Sequence, residues 1–432
     1  MNGWPGLGPS ARLNWLKIAI FAVVILALAQ INDWRLLDKL FLTLVAVLVV
    51  SAWWSWTSLR GLRIERDSGT DRAQVGQEIA ERLRVTNLTR LGKLWVEIHD
   101  HSTLPGHNAS QVVSLLPRGN ARWHIRSICT RRGRYTVGPL TVHGGDPFGL
   151  FPTRKLLPQT HELLVYPATV DVSSFVLPVG ELPGGSTTQG RTPQITPNAV
   201  GVREYLPGDP FNRISWNTTA RTGQLMVKEF ELDPTADVWV VLDMDGRTHM
   251  TSVLPKTPVV YDDPLAQLLL NSTEEYAVTV AASLARHFLN QNRTVGLLAH
   301  GQHHELIPTD RGARQLMKVL ESLAVIRAEG RQSLPELLIA EAGRFGRHST
   351  LIIITASTDE TIAQALLGLV ARGVKVVAVL VEPSTFGAAE SSILLVSALA
   401  AIGVPTYLIK RGEDIGRSLA YGGGAPRQSA RA

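Results

Sequence analysis

Two long apolar runs open the chain, Leu13 to Ile31 and Leu40 to Trp56. Each is long enough, or nearly so, to cross a hydrocarbon core of about 30 Å as a helix. Trp15, Trp34, Trp53, Trp54 and Trp56 fall at their ends, where an indole rests between apolar and polar surroundings. From Leu62 to Pro167 the pattern shifts to short alternating segments: Ile79–Thr86, Leu94–His99, Gln111–Leu116, Ala121–Ile128, Tyr135–His143 and Glu162–Tyr166, punctuated by Gly, Pro and Asn. A period of two places one face in a core, and the regular spacing predicts a β-sandwich or open barrel. Val176 to Ala199 is rich in Gly, Pro, Ser and Thr and reads as a mobile linker or surface loop. Beyond it, apolar strands (Val238–Leu242, Val295–Ala299, Leu351–Thr355, Val374–Val381, Thr406–Ile409) alternate with helical periods (Glu274–Gln291, Ala313–Arg327, Leu334–Gly343, Glu360–Ala371, Glu390–Ile402). His304–Ile307 reads as a short edge strand. That alternation predicts a doubly wound sheet.

The pattern therefore describes an α+β multidomain membrane protein. A transmembrane helical hairpin occupies 1–59, a β-sandwich-like domain 60–170, a linker or surface loop 171–200, a charged hinge 201–236, an α/β doubly wound domain 237–412 and a disordered tail 413–432.

Charge adds orientation. Net charge is +6 over 432 residues, with Arg12 before the first run and Lys17 near its outer end, Arg60, Arg63 and Arg66 after the hairpin, and a short balanced link between the runs. The positive-inside rule then puts both termini and the soluble domains in the cytoplasm, in a two-pass plasma-membrane topology. A secretory signal peptide is the competing reading, because Ala27-Leu28-Ala29 resembles a cleavage site. Between Arg60 and Arg134 basic residues outnumber acidic ones two to one, a face suited to anionic lipid, RNA or an acidic protein. No nucleic acid is expected, since Trp95, Trp123 and Tyr135 lie in alternating β segments where aromatics serve a core. The single Cys129 excludes an intramolecular disulfide and any multi-cysteine metal site.

The hinge, Gly201 to Glu231, is dense in groups that want partners: Arg203, Glu204, Tyr205, Gly208, Asp209, Arg213, Trp216, Arg221, Lys228 and Glu229. Pro207-Gly208-Asp209-Pro210 predicts a tight turn, Phe211 to Arg221 a short helix or irregular turn, and Leu225 to Glu231 a strand. Two roles are open: a buried ionic network welding two domains, or a charged binding surface. The stretch resembles the signature of the domain-of-unknown-function fifty-eight family, carried by Arg203-Glu204-Tyr205, Pro207-Gly208-Asp209, Arg213-Ile214, Trp216, Ala220-Arg221 and Val227-Lys228-Glu229-Phe230-Glu231. Ser215 stands where that pattern usually has His, Asp or Asn. Arg132-Gly133-Arg134-Tyr135, Gly138-Pro139, Asp146-Pro147-Phe148-Gly149-Leu150-Phe151 and Val165-Tyr166-Pro167 extend the resemblance upstream. The resemblance implies an association with MoxR-type AAA+ ATPases in assembly or maturation of other proteins.

The strand ending in Asp243-Met244-Asp245-Gly246-Arg247 makes the α/β half resemble a von Willebrand factor A (vWA) domain. That resemblance implies a Mg²⁺ site of hard oxygen ligands at the sheet edge. Asp243 matches its first ligand and Ser333 lies where a hydroxyl loop would be, but Asp245 replaces a serine, Arg247 a second one, and Ala356 an aspartate. A degenerate site is expected, with no required cofactor and an Asp243/Arg247 ion pair in place of the metal. His99, His101 and His107 read as solvated loop residues, and His300, His303 and His304 as turn histidines. There is no G-x-S-x-G elbow, Walker loop, H-E-x-x-H or dinucleotide fingerprint. The reading that follows is a membrane-anchored, non-enzymatic interaction scaffold. An enzyme of unrecognised type using Asp243 or Asp245, and a basic β-domain for anionic lipid or nucleic acid, are the alternatives.

Overall fold

The computed structural model describes residues 14–32, 35–175, 199–205, 214–230, 237–252, 272–347, 349–388 and 390–420. The chain forms two compact units, one drawn from Met1–Val170, Thr251–Ala282 and Leu320–Arg327, the other from Asp171–Met250, Ser283–Val319 and Ala328–Ala432. Most of the predicted linker, the Pro207-Gly208-Asp209-Pro210 turn and the last residues of the tail lie outside the described residues.

In the first unit, α1 (Asn14–Asn32) and α2 (Arg35–Ser58) pack against each other. Small Ala22 and Ala29 are buried, while Ile20, Phe21, Leu42, Val49 and Val50 face outward. Among the described helices, α2 is long and apolar enough to cross a membrane, and α1 holds a shorter apolar stretch, Leu16–Gln30. Ten strands follow: β1 (Leu62–Ser68), β2 (Arg72–Gln74), β3 (Glu78–Asn87), β4 (Lys93–Asp100), β5 (Gln111–Leu115), β6 (Asn120–Ile128), β7 (Gly133–Val137), β8 (Leu140–Gly144), β9 (Thr153–Leu157) and β10 (His161–Tyr166). They make sheets ordered β1-β3-β6, β5-β4-β8-β9 and β2-β10-β7. Strict alternation along β3 turns Leu83 and Val85 inward against Val96, Ile98, Val113 and Val142 of the second sheet. The first two sheets thus enclose one sandwich core. The third sheet adds a smaller cluster around Cys129, Leu163 and Val165.

In the second unit, β11 (Ala199–Glu204) pairs antiparallel with β12 (Met226–Phe230), and α3 (Trp216–Thr222) lies between them in sequence. The remaining elements are β13 (Val238–Leu242), α4 (Thr273–Asn290), β14 (Val295–His300), β15 (His304–Asp310), α5 (Gly312–Val325), α6 (Leu334–Ala340), β16 (Thr350–Thr355), α7 (Thr361–Ala371), β17 (Lys375–Val381), α8 (Ile393–Ala401), β18 (Thr406–Ile409) and α9 (Ile415–Ala420), of which α4 up to Ala282 and α5 from Leu320 belong to the first unit. Their six-stranded sheet runs β15-β14-β13-β16-β17-β18. β14 and β16 both pair parallel with β13, and β15 is an antiparallel edge. Trp239, Val241, Ile353 and Leu380 share a core with Leu337, Leu366 and Leu399 of α6, α7 and α8. Val240, Leu242, Ile352, Ile354 and Val379, which point the other way, are equally buried. A sheet covered on both faces reads as continuous apolar strands, which these are. Its order reverses at β13, so the carboxyl end of that strand is the switch point where such sheets place their chemistry. Helix α9, anchored by buried Ile415 and Leu419, occupies part of the stretch expected to be tail.

Candidate functional site

The hinge residues form a ribbon with a short helix. Val202 pairs with Lys228 and Glu204 with Met226, and Ile214 bridges Val227. Ser215 N–H donates to Met226 O at 2.7 Å, and Met226 N–H to the Thr219 hydroxyl at 3.0 Å, so α3 folds back onto β12. Ile214, Ser215 and Val227 are buried beneath it. The indole of Trp216, by contrast, is 67% exposed. Arg221, in the last turn of the same helix, and Glu204 are exposed as well. Gly208, Asp209 and Arg213 lie outside the described residues, as do the side chains of Arg203, Lys228 and Glu229. Tyr205 is half-buried, its N–H donating to Leu225 O at 2.9 Å.

At the switch point the charges are arranged differently from the expected pairing. Asp243 is buried and accepts from the Thr355 hydroxyl at 2.6 Å and from Asp245 N–H at 3.1 Å. Burial pushes its carboxyl above the ordinary range. Arg247 pairs with Asp245, not Asp243: Nη2 lies 2.6 Å from Oδ2, and Nε 3.0 Å from both oxygens. Burial alone would raise Asp245, yet the hydrogen bonds from Arg247 outweigh it and hold the carboxyl below the ordinary range. The physical reason is reach, since Arg247 N–H already donates to Asp245 Oδ1 in the same turn. Gly330 closes the site from the side. Its N–H donates to Met244 O, and a Cβ there would lie 2.1 Å from His300 O, so only glycine fits. Ser333 instead begins α6 in a capping box with Glu336. Among the described residues no group of three or more His, Cys, Asp or Glu is placed to hold a metal.

In the first unit, two buried charge clusters appear that local pattern did not flag. Arg132, in the upstream Arg132-Gly133-Arg134-Tyr135 motif, is wholly buried. Its Nη2 donates to Glu274 Oε1 at 2.5 Å and to Ile326 O at 2.7 Å, and Nη1 lies 2.5 Å from Glu275 Oε1. Tyr135, from the same motif, donates its hydroxyl to Arg132 O at 3.2 Å. The second cluster corrects the reading of His107 as solvated: its side chain is 0% exposed. His107 Nε2 lies 3.1 Å from Asp100 Oδ2, and Nδ1 is 2.9 Å from the Ser127 hydroxyl. Arg66 joins Asp100 at 3.1 Å and Glu81 at 2.8 Å. Burial pushes Asp100 upward, but the hydrogen bonds from His107, Ser102 and Arg66 win and hold it well below the usual carboxylate range. A Ser, a His and an Asp in contact have the composition of a hydrolytic triad. Here they are sealed in the sandwich, with a guanidinium nitrogen 3.0 Å from Nε2. Of the other histidines, His101 contacts the Thr141 hydroxyl at 2.9 Å, and His304 faces Glu341 at 3.5 Å.

Residues 201–385 match the family described as "Protein of unknown function DUF58", which covers the hinge and the switch point. The chain is 24% identical over 233 residues to the uncharacterized protein YeaD of Bacillus subtilis, covering 53% of this chain and 52% of YeaD. It is 25% identical over 151 residues to the uncharacterized protein Mb1516 of Mycobacterium bovis, covering 34% of this chain and 39% of that one. The chain thus spans about half or less of the length of these curated relatives. Among solved structures, the CARDB domain of PF1109 from Pyrococcus furiosus matches 24% of this chain and 94% of its own at 18% identity, with a TM-score of 0.19. The complex of Zinc 2-glycoprotein and Prolactin inducible protein from human seminal plasma matches 24% of this chain and 92% of the matched chain at 14% identity, also at 0.19. At these scores the likeness says nothing of function.

Proposed function

We propose that this chain is a membrane-anchored, non-enzymatic interaction scaffold that works with a MoxR-type AAA+ ATPase in the assembly or maturation of other proteins. Its binding surface is the hinge, displayed on a vWA-like α/β unit, and its anchor is the apolar α1/α2 pair. The observation that carries the reading is Trp216. A tryptophan exposed to 67% in the middle of the longest motif of the chain suits a partner's pocket, because Trp and Arg dominate the energetics of protein interfaces. Arg221, exposed on the same helix, supplies the second such group. The carboxylates at the switch point support the same reading from the other side. Asp243 is held by Thr355, and Asp245 by Arg247, so each carboxylate already has a partner of its own that a divalent cation would have to displace. The buried Asp100–His107–Ser127 series is out of reach of a substrate.

Affinity capture of the full chain from detergent-solubilised membranes tests this. Wild type is expected to recover an AAA+ ATPase, and Trp216→Ala to lose it without a change in melting temperature. Equal recovery by both proteins would contradict the role given to the hinge.

A further inference from the structure

The sandwich does not hang from α2 by a linker. Only Leu59, Arg60 and Gly61 separate the helix from β1, and the junction is bolted. Buried Lys93 donates its ammonium to Thr57 O at 2.5 Å, satisfying a carbonyl at the negative end of the helix. Ser58 and Thr153 share a hydroxyl contact at 2.9 Å, and the Ser55 hydroxyl donates to Phe151 O. Gly144 leaves room for this approach, since a Cβ there would lie 2.8 Å from Leu59 Cδ2. Ser55 and Ser58 are one helical turn apart, so the loop carrying Phe151 and Thr153 climbs roughly 5 Å along α2. Whatever layer surrounds the last turn of α2 also surrounds that loop.

Two hairpin tips are knitted into the same end. Leu88 N–H donates to Gly61 O at 2.8 Å, Asn87 N–H to Gly119 O at 2.9 Å, and Arg118 N–H to Thr89 O at 2.9 Å. The side chains shown there are unusual for a soluble rim. Leu116 is 79% exposed, Phe148 64% and Leu88 61%. The two tips also carry Arg90 and Arg118, both exposed and without a carboxylate partner among the described residues. The tips 88–92 and 116–119 contain no acid at all. Arg60 lies 3.4 Å over the ring of Trp56, an indole that is itself exposed. Arg118 has φ 52 at the third position of a turn closed by Gly119 N–H to Leu116 O at 2.9 Å. Glycine or asparagine suits that position far better, so an arginine is kept there against the backbone's preference.

We propose that this end of the sandwich is a membrane seat: Leu88, Leu116 and Phe148 enter the interfacial layer of the bilayer that α2 crosses, and Arg60, Arg90 and Arg118 meet anionic lipid headgroups. The seat rests on the membrane-anchor reading given above. Apolar side chains interleaved with cations and free of acids are the composition that settles at a lipid interface. The seat lies at the one place in the unit that the helix's own exit fixes beside a bilayer. It also holds the body in a set orientation, with the far end of β4 pointing away from the lipid.

The full chain, reconstituted in phosphatidylcholine vesicles with and without phosphatidylglycerol, tests the seat. An environment-sensitive fluorophore is placed by Leu116→Cys or Phe148→Cys, and as a control by Asn108→Cys beyond the far end of β4; native Cys129 is buried and does not compete. Spin-labelled lipid is expected to quench the label at 116 and 148 but not at 108, and more strongly with phosphatidylglycerol. Arg90→Gln with Arg118→Gly, the latter relieving the turn, is expected to reduce the phosphatidylglycerol-dependent part by roughly fivefold per arginine. A chain that does not float with the vesicles overturns the anchor reading and the seat together. A chain that floats with no quenching at 116 or 148 overturns the seat alone. Labels shielded from aqueous iodide yet untouched by spin-labelled lipid would show a protein-covered rim and also overturn it.

Discussion

Arg132→Met offers a quantitative test of what holds the first unit together. The wild-type guanidinium is wholly buried and balances two carboxylates, Glu274 and Glu275, each 2.5 Å away and each mostly buried. Removing the cation leaves both acids without their partner and Ile326 O without its donor. Arg327 is no substitute, since it reaches Glu275 only at 3.8 Å. Breaking one side of a buried ion pair typically costs about 3–5 kcal/mol, because the stranded charge stays desolvated. At about 2–4 °C per kcal/mol for domains of this size, the variant is expected to melt roughly 6–20 °C lower. Differential scanning calorimetry or circular dichroism on detergent-solubilised full chain reads the shift. Adding Glu274→Gln and Glu275→Gln to Arg132→Met is expected to restore a large share of it, since the penalty lies with the unpaired acids rather than with lost packing. A single variant that melts within about 1 °C of wild type, or a triple variant no better than the single one, would refute the reasoning.

Other outcomes follow from the remaining charges. Asp100 is held below its ordinary value of 3.8 in the folded protein, so its contribution is complete above the ordinary carboxylate range and is lost as pH falls through and below it. Chemical denaturation should therefore show Asp100→Asn less stable than wild type at neutral pH, with the gap narrowing in acid; a constant gap would contradict the assignment. Titration calorimetry with Mg²⁺ should show no micromolar site, because Arg247 already neutralises Asp245; binding that Asp243→Ala abolishes would restore a cation-dependent mechanism. Protease added to intact cells should leave everything after Trp56 uncut, as the flanking arginines require; digestion from outside would reverse the topology.

What was legible in the chain depended on how far each residue's partners lie from it. β13, β16 and β18 were read within a residue or so of their observed ends, because strands buried on both faces are uninterrupted apolar runs. β1, β2, β9 and β11 were missed. Charged residues occupy the outward positions of β1, and β9 is a short strand at a sheet edge with little burial. The single strand expected from Tyr135 to His143 is two, β7 and β8, divided at Gly138-Pro139. Gly138 has φ 86 and Pro139 has no N–H to offer a ladder. The hinge was found from its density of charged and turn residues, and α3 and β12 follow the local pattern, whereas the partner strand β11 carried no such signal. Arg132 and His107 could not be found that way. Arg132 meets Glu274 across 142 positions, and His107 meets Ser127 across 20, so no periodic signal marks either. The pairing of Arg247 with Asp245 rather than Asp243 turns on two residues of backbone, a distinction that depends on the turn and not on the motif.

The role of the hinge is tested most directly by a photo-crosslinking amino acid placed at position 216 of the full chain in living cells, followed by mass spectrometry of the adducts. The scaffold reading predicts a dominant crosslink to an AAA+ ATPase, absent when the same probe replaces a residue on the buried side of the ribbon such as Val227. Crosslinks confined to this chain itself, or none above the level seen at an unrelated exposed position, would contradict it.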